Sequence, residues 1–425
     1  MTNSAPNGSL LRVKPVSPRQ FATFRIVLGL YLTIYLAHLI PYGAELLSRE
    51  GMLPDASLNF IHRILPNPLE WADTPGVVTA FLIGLTILSI SFTVGLFRRA
   101  AAVLLWFGLA CLFNRNNLLS NPSIPYVGMI LLMCALIPAG EPWGLSRSKP
   151  GKEWFFPAWV FRAAWILMAV GYTFCGLDKL IYSPNWSDGT ALKHVLNLPL
   201  AWPGFLREIL LGLPEWILKA ATWSVLALEV LFLPLCLHRR SRPWAWLAMV
   251  GMHIGITSLI AFADFSLGML MLHFFTFDPE WFPARKNAEA RSLVLYDGLC
   301  GLCDRTVQFF LEEDREGALV FSPLQGETAS EVFARHPDAE QNLSTMVCVA
   351  NSGSDAEELS YRSSGILRLL SDVGGFWRVV SWLRWIPVPV RDRVYDLIAR
   401  NRYKWFGKFD ECKLPDPETR ARFLP

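Results

Sequence analysis

The chain has 425 residues, of which 52% are hydrophobic, 17 are tryptophan and only 18% are charged. Counting Gly in place of Tyr raises the hydrophobic share to roughly 57%, above the about 45–50% of ordinary globular chains, which excludes a single soluble domain. The net charge of +3 hides a split, with 22 Lys+Arg against 16 Asp+Glu in residues 1–290 and 17 against 20 in 291–425. The basic excess belongs to the apolar part and reads as membrane topology, not nucleic-acid binding.

Residues 1–17 are polar with two prolines and lack the short apolar core of a signal peptide, so they are expected to form a cytoplasmic tail. Apolar runs then recur at about 21–40, 76–97, 100–113, 124–137, 159–177, 217–237, 244–262 and 265–277, which predicts a helical bundle of about eight spans over residues 18–285. Between the fifth and sixth, the apolar piece Ile209 to Leu213 is too short to cross and is expected to be re-entrant or interfacial. With eight spans, Arg12, Lys14 and Arg19, then Arg98 and Arg99, then Arg147, Lys149 and Lys152, then Arg239, Arg240 and Arg242, then Arg285 and Lys286 fall on one side. The positive-inside rule puts that side, and both termini, in the cytoplasm.

Several polar groups interrupt the apolar runs. Glu229, His253 and Arg162 are costly in lipid and are expected to face the bundle interior, either as packing pairs or as a ligand site. His273 reads as a satisfied interfacial histidine, and Cys111, Cys134, Cys175 and Cys236 as buried free thiols. Asp178 and Lys179 place adjacent opposite charges at the outer end of the fifth span, where an interfacial ion pair is the plain interpretation.

A hydrophilic joint at 286–291 leads into residues 292–425, where the patterning turns globular. Strands are expected at 293–296, 318–322 and 346–350, and helices over 303–314, 327–335, 363–372 and 390–405. The run Tyr296-Asp297-Gly298-Leu299-Cys300-Gly301-Leu302-Cys303 sets a CxxC pair at the mouth of a helix, where unpaired N–H groups favour a thiolate. Cys300 is therefore expected to attack and Cys303 to resolve. Zinc ribbons share this spacing but need a second pair, and no second CxxC or HxxxH exists. Asp297 can exchange a proton with Cys300 or cap the turn. Cys348 reads as strand core, and no pattern has metal or nucleotide-binding spacing.

The segment YDGLCGLCDRTVQFFLEEDREGALVFSPLQ, with Asp297, Cys300 and Cys303, resembles the opening of the DCC family of thiol-disulfide oxidoreductase-like domains, and Arg393 to Gly407 is similar to its closing segment. The resemblance implies a thioredoxin-like α/β fold, although no proline precedes Met346 where thioredoxins place one. It also makes Cys412 a possible third redox thiol beside the alternative of a structural tail residue. Gly176-Leu177-Asp178-Lys179-Leu180, with Trp186 and Gly189 downstream and His253 further on, resembles the HTTM domain shared with vitamin K-dependent gamma-carboxylases, where a lysine at the position of Lys179 is a base. The chain reads Pro122-Ser123 where the carboxylases have Asn-His, and Ile256 where they have Asn, so carboxylation is not expected.

Together these readings describe a polytopic α-helical membrane bundle joined to a C-terminal α/β thioredoxin-like domain at 292–425. The expected activity is that of a membrane-bound thiol-disulfide oxidoreductase, working as a reductase because the cytosol keeps such pairs reduced. Its expected partners are the lipid bilayer and a protein or small-molecule thiol or disulfide, with no nucleic acid, and no cofactor is indicated beyond a quinone-like ligand. The bundle is expected to take a lipophilic, quinone-like or lipid ligand near Lys179, Glu229, His253 and Asp178. The alternatives are a non-enzymatic membrane scaffold or sensor, and a carboxylase-like enzyme using Lys179.

Overall fold

The structure is a computed structural model that describes residues 12–13, 16–59, 62, 66–116, 119, 121–146, 154–261, 263–284, 292–339, 345–411, 417 and 419–425. The chain divides into two compact units, Met1–Phe277 and Asp278–Pro425.

The first unit is mostly helical. Its main helices are α1 (Pro18–Leu39), α2 (Pro75–Thr93), α3 (Arg98–Arg115), α4 (Ser123–Leu136), α5 (Ala158–Tyr182), α6 (Phe205–Leu211), α7 (Glu215–Val230), α8 (Arg242–Leu259) and α9 (Ala263–Phe275). Helix starts follow local chemistry: the Ser17 hydroxyl accepts the Gln20 N–H at 3.0 Å with Pro18 at the first helical position. Similarly, the Asn121 side chain accepts the Ser123 N–H at 3.0 Å ahead of α4. Three helical stretches, Pro18–Leu47, Pro75–Thr93 and Ala158–Tyr182, are long and apolar enough to cross a membrane, or four if α6 and α7, bent by 106°, form one broken span. That bend ends the apolar piece at 209–213 at a turn.

The buried charges of this unit differ from the expected set. Arg162 is exposed, and Arg25, Arg98 and Arg115 are buried. Arg25 and Arg98 answer carbonyls left free at helix C-termini, whereas Arg115 donates to Leu53 O at 3.0 Å and to Asp73 Oδ2 at 3.0 Å. Arg25 donates to Phe92 O at 3.0 Å, to Thr93 O and to Trp143 O at 2.8 Å. Arg98 donates to Cys134 O, and to Ile137 O and Pro138 O at 3.0 and 2.9 Å. Glu141 lies 2.7 Å from Arg98 and 3.4 Å from Arg25, so these arginines close the ends of α2 and α4. Cys111, Cys134 and Cys236 are buried as expected, but Cys175 is exposed.

The second unit is a small mixed sheet with helices. Its elements are β1 (Ser292–Tyr296), α10 (Gly301–Glu313), β2 (Leu319–Pro323), α11 (Glu327–Arg335), β3 (Val347–Ala350), β4 (Glu358–Tyr361), α12 (Arg362–Val373) and α13 (Val388–Phe406). Strand order is β2-β1-β3-β4. β1 and β2 are parallel, whereas β1 with β3 and β3 with β4 are antiparallel. All five residues of β1 are buried, as a central strand covered on both faces requires. Alternation sends Val294 and Tyr296 to a cluster with Phe310, Phe321 and Leu369, and Leu293 and Leu295 to one with Val320, Val332 and Val349. Cys348 lies in the first of these clusters.

Candidate functional site

The site forms where β1 ends and α10 begins. Asp297 leaves the strand into a turn in which its Oδ1 accepts the Leu299 N–H at 3.1 Å and its carbonyl accepts the Cys300 N–H at 3.2 Å. Cys300 then takes the N-cap position of α10. Gln325, just beyond β2, donates from Nε2 to Asp297 Oδ1 at 3.1 Å and accepts the Gly298 N–H at 3.3 Å. From α13, the Tyr403 hydroxyl donates to Asp297 Oδ2 at 2.6 Å, and Arg402 Nη2 lies 3.5 Å from that oxygen. Burial works against ionisation of Asp297, but the donors Tyr403, Leu299 N–H and Gln325 and the charge of Arg402 outweigh it and hold the carboxyl below its ordinary range. A carboxylate with this many donors caps the turn.

The two thiols are electrostatically unequal, and both are free. The Cys303 thiol donates toward Cys300, and despite burial this bond, the N–H groups of Cys303 and Leu302 and the charge of Arg402 lower the Cys300 thiol to about 6. The same bond and burial push Cys303 upward. Cys300 is thus the thiolate of the pair. Access runs the other way, because Cys300 has no exposed surface while Cys303 is half-buried. What covers Cys300 is the chain after α13: Lys408 pairs with Cys300 in an antiparallel bridge, Gly301 N–H donates to Gly407 O at 3.2 Å and Phe409 N–H to Leu299 O at 2.8 Å. Gly301 permits this approach, since a Cβ there would meet Phe406 O at 2.2 Å.

Thr345 stands where thioredoxins place a proline, and the next N–H, that of Met346, donates to the Tyr395 hydroxyl at 3.2 Å. Gln325, Tyr395, Arg402 and Tyr403 carry no spacing signal of their own; Gln325 lies in the opening segment quoted for the resemblance, and the other three in the closing segment. Cys412 lies outside the described residues, as do Arg147, Lys149, Lys152, Arg285 and Lys286. Among the described residues no group of three or more His, Cys, Asp or Glu is arranged to hold a metal ion.

In the first unit, Lys179 Nζ on α5 donates to both carboxylate oxygens of Glu229 on α7, at 2.6 and 2.7 Å, with Nζ 4.5 Å from the Trp186 ring centre. Gly176 makes this possible, because a Cβ there would stand 2.6 Å from Val230 N and 2.8 Å from Glu229 Cβ. Asp178, beside Lys179, is exposed. His253 joins a different group: the Tyr172 hydroxyl lies 2.6 Å from its Nε2 and 2.9 Å from Nε2 of His273, and Ser266 Oγ lies 3.2 Å from His253 Nδ1. One hydroxyl proton serves only one of these contacts, so Tyr172 donates to one imidazole and accepts from the other. His273 is fully buried, with Nδ1 unpartnered.

Residues 13–281 match the model of the HTTM domain, and residues 294–408 that of the DCC1-like thiol-disulfide oxidoreductases. The uncharacterized protein YuxK of Bacillus subtilis is 35% identical over 133 residues, 31% of this chain and 93% of that protein. A chloroplastic DCC family protein of Arabidopsis thaliana is 32% identical over 128 residues, 30% of this chain and 71% of its own length. No solved structure matches. The chain belongs to the HTTM family through its N-terminal unit and to the DCC family of thiol-disulfide oxidoreductase-like proteins through its C-terminal unit.

Proposed function

We propose that this protein is a membrane-bound thiol-disulfide reductase whose reacting pair is Cys300 and Cys303. The observation that carries this reading is the lowered Cys300 thiol at the N-terminus of α10 beside a partner thiol that donates to it. Cys300 thiolate attacks a disulfide of a protein or small-molecule partner, forming a mixed disulfide and releasing one partner thiolate, which takes up a proton. Cys303 gives up its proton, attacks Cys300 Sγ, closes the 300–303 disulfide and releases the second thiolate. Two electrons pass to the partner, and an external dithiol restores the pair. Since Cys300 has no exposed surface, the segment from Phe406 to Phe409 has to move aside for the attack. The strand order, with one parallel and two antiparallel pairings and α10 following β1, supports a thioredoxin-like fold. Full-length protein in detergent should reduce a small aromatic disulfide, Cys300→Ser should be inactive and Cys303→Ser should accumulate the mixed disulfide. Stoichiometric zinc without exchange would assign the chain to the scaffold class instead.

For the membrane part we propose a domain at 18–285, a joint at 286–291 and the thiol domain at 292–425, with eight spans and both termini in the cytoplasm. Helices at each of the eight apolar runs support the count. Cysteines placed near 60, 148 and 240, with native cysteines replaced, test the orientation; labelling of 60 from the cytoplasmic side overturns it. The closed Lys179–Glu229 pair favours helix packing over binding of a lipophilic ligand, which would have to open the pair.

A further inference from the structure

The surface of the C-terminal unit carries one unusual face. Nine consecutive residues from Trp382 to Val390 are exposed, Trp385 by 80%. On α13 the apolar exposure continues at Val394, Leu397, Ile398 and Trp405, spaced so that they share a helix face with Val390. Arg393, Arg400 and Lys404, all exposed, share one flank of that face. Charge is segregated in the same way: residues 381–406 hold six Lys+Arg against two Asp+Glu, and the remainder of 291–425 holds eleven against eighteen. Apolar helix faces edged by Arg and Lys, with Trp among the apolar residues, suit the boundary between lipid headgroups and acyl chains.

The entry of the chain into this unit points to the same occupant. The Phe282 ring packs on Trp382 with centres 5.7 Å apart, Gly375 N–H donates to Phe282 O at 2.6 Å and Arg378 Nη1 to Pro283 O at 3.2 Å. A cavity of about 350 Å³ opens there, with Arg378 and Arg384 on its wall. Phe282 follows Phe277, the last residue of the other unit, by five residues, which span ~17 Å at full extension. Phe282 and Pro283, where the chain enters this unit, are therefore built into the edge of the exposed face.

We propose that the face formed by Trp382 to Val390 and the outer side of α13 docks onto the anionic surface of the bilayer that holds the N-terminal unit. The proposal goes beyond the thiol chemistry and rests on that unit lying in a membrane. Apolar side chains enter the headgroup boundary, and Arg393, Arg400 and Lys404 meet lipid phosphates. Because α13 runs directly into the segment that covers Cys300, docking would direct the thiols to disulfides presented at the membrane surface.

The test uses the full chain in nanodiscs of pure phosphatidylcholine or of phosphatidylcholine with phosphatidylglycerol, footprinted with hydroxyl radicals and read at Trp385 and Trp405 by mass spectrometry. The expected result is several-fold less oxidation of both in the anionic discs, restored by the triple change Arg393→Glu, Arg400→Glu and Lys404→Glu. Equal oxidation in the two discs overturns the proposal, as does protection that survives charge reversal. Protection found only in discs holding two copies assigns the face to a second copy and also overturns it. The comparison between discs needs no variant, so a variant that fails to fold leaves the test standing.

Discussion

The hydroxyl of Tyr403 donates to Asp297 Oδ2 at 2.6 Å across 106 residues of chain. Asp297 shapes the turn that presents Cys300, and Tyr403 lies just ahead of the segment that covers it, so one hydrogen bond ties the nucleophile's turn to its cover. Tyr403→Phe removes the donor while Leu299 N–H, Gln325 and Arg402 still serve the carboxylate. The expected cost is about 1.5 kcal/mol, the low end for a hydrogen bond to a charged group because Tyr403 is partly exposed. Alkylation of Cys300 should become faster as the cover loosens. Unchanged alkylation with unchanged melting would show that this bond does not hold the cover.

Alkylation of Cys300 should rise with pH through about 6 and level off, whereas an ordinary thiol keeps gaining reactivity up to about 8.5. Cys303→Ala removes the leading cause of the shift and should move the midpoint upward. For stability, the folded value lies below the unfolded one, so the contribution is complete above about 8.5 and is lost as pH falls through about 6. Mass-resolved iodoacetamide rates from pH 5 to 9 decide this, and a midpoint above 8 contradicts it.

Gly301→Ala puts a methyl group 2.2 Å from Phe406 O, a backbone atom that cannot turn away. The cover should shift, exposing Cys300 to alkylation and costing roughly 1–3 kcal/mol, as overpacking does. Amide hydrogen exchange at 406–409 should speed up, and unaltered exchange would place the strain elsewhere.

The Lys179–Glu229 pair predicts an asymmetry. The Glu229 side chain is 4% exposed and that of Lys179 23%, so Lys179→Met, which leaves a buried carboxylate alone, should destabilise more than Glu229→Gln. The larger cost should approach roughly 3 kcal/mol, and the double variant should recover part of it. Thermal unfolding in detergent measures this; additive losses would mean that the two residues do not act as a pair.

Local spacing was sufficient for most elements. Apolar periodicity located helices at all eight runs, and strands and helices in the C-terminal part fell close to their observed bounds, because each depends on neighbours within a turn or two. The position of Cys300 at the start of a helix was legible for the same reason, since α10 follows it directly in sequence. The edge strand Glu358–Tyr361 was missed: its exposure follows no alternation, and only pairing with β3 makes it a strand. Arg25 and Arg98 were not recognised as buried caps because their partners are carbonyls at the ends of other helices and in the loop after α4, 36 to 118 residues away. Tertiary structure alone decided that Asp297 meets Tyr403 and Arg402 and that Cys300 is covered. Both follow from α13 and the chain after it returning to the first strand of the unit, and a contact between residues about a hundred positions apart leaves no period in the sequence between them.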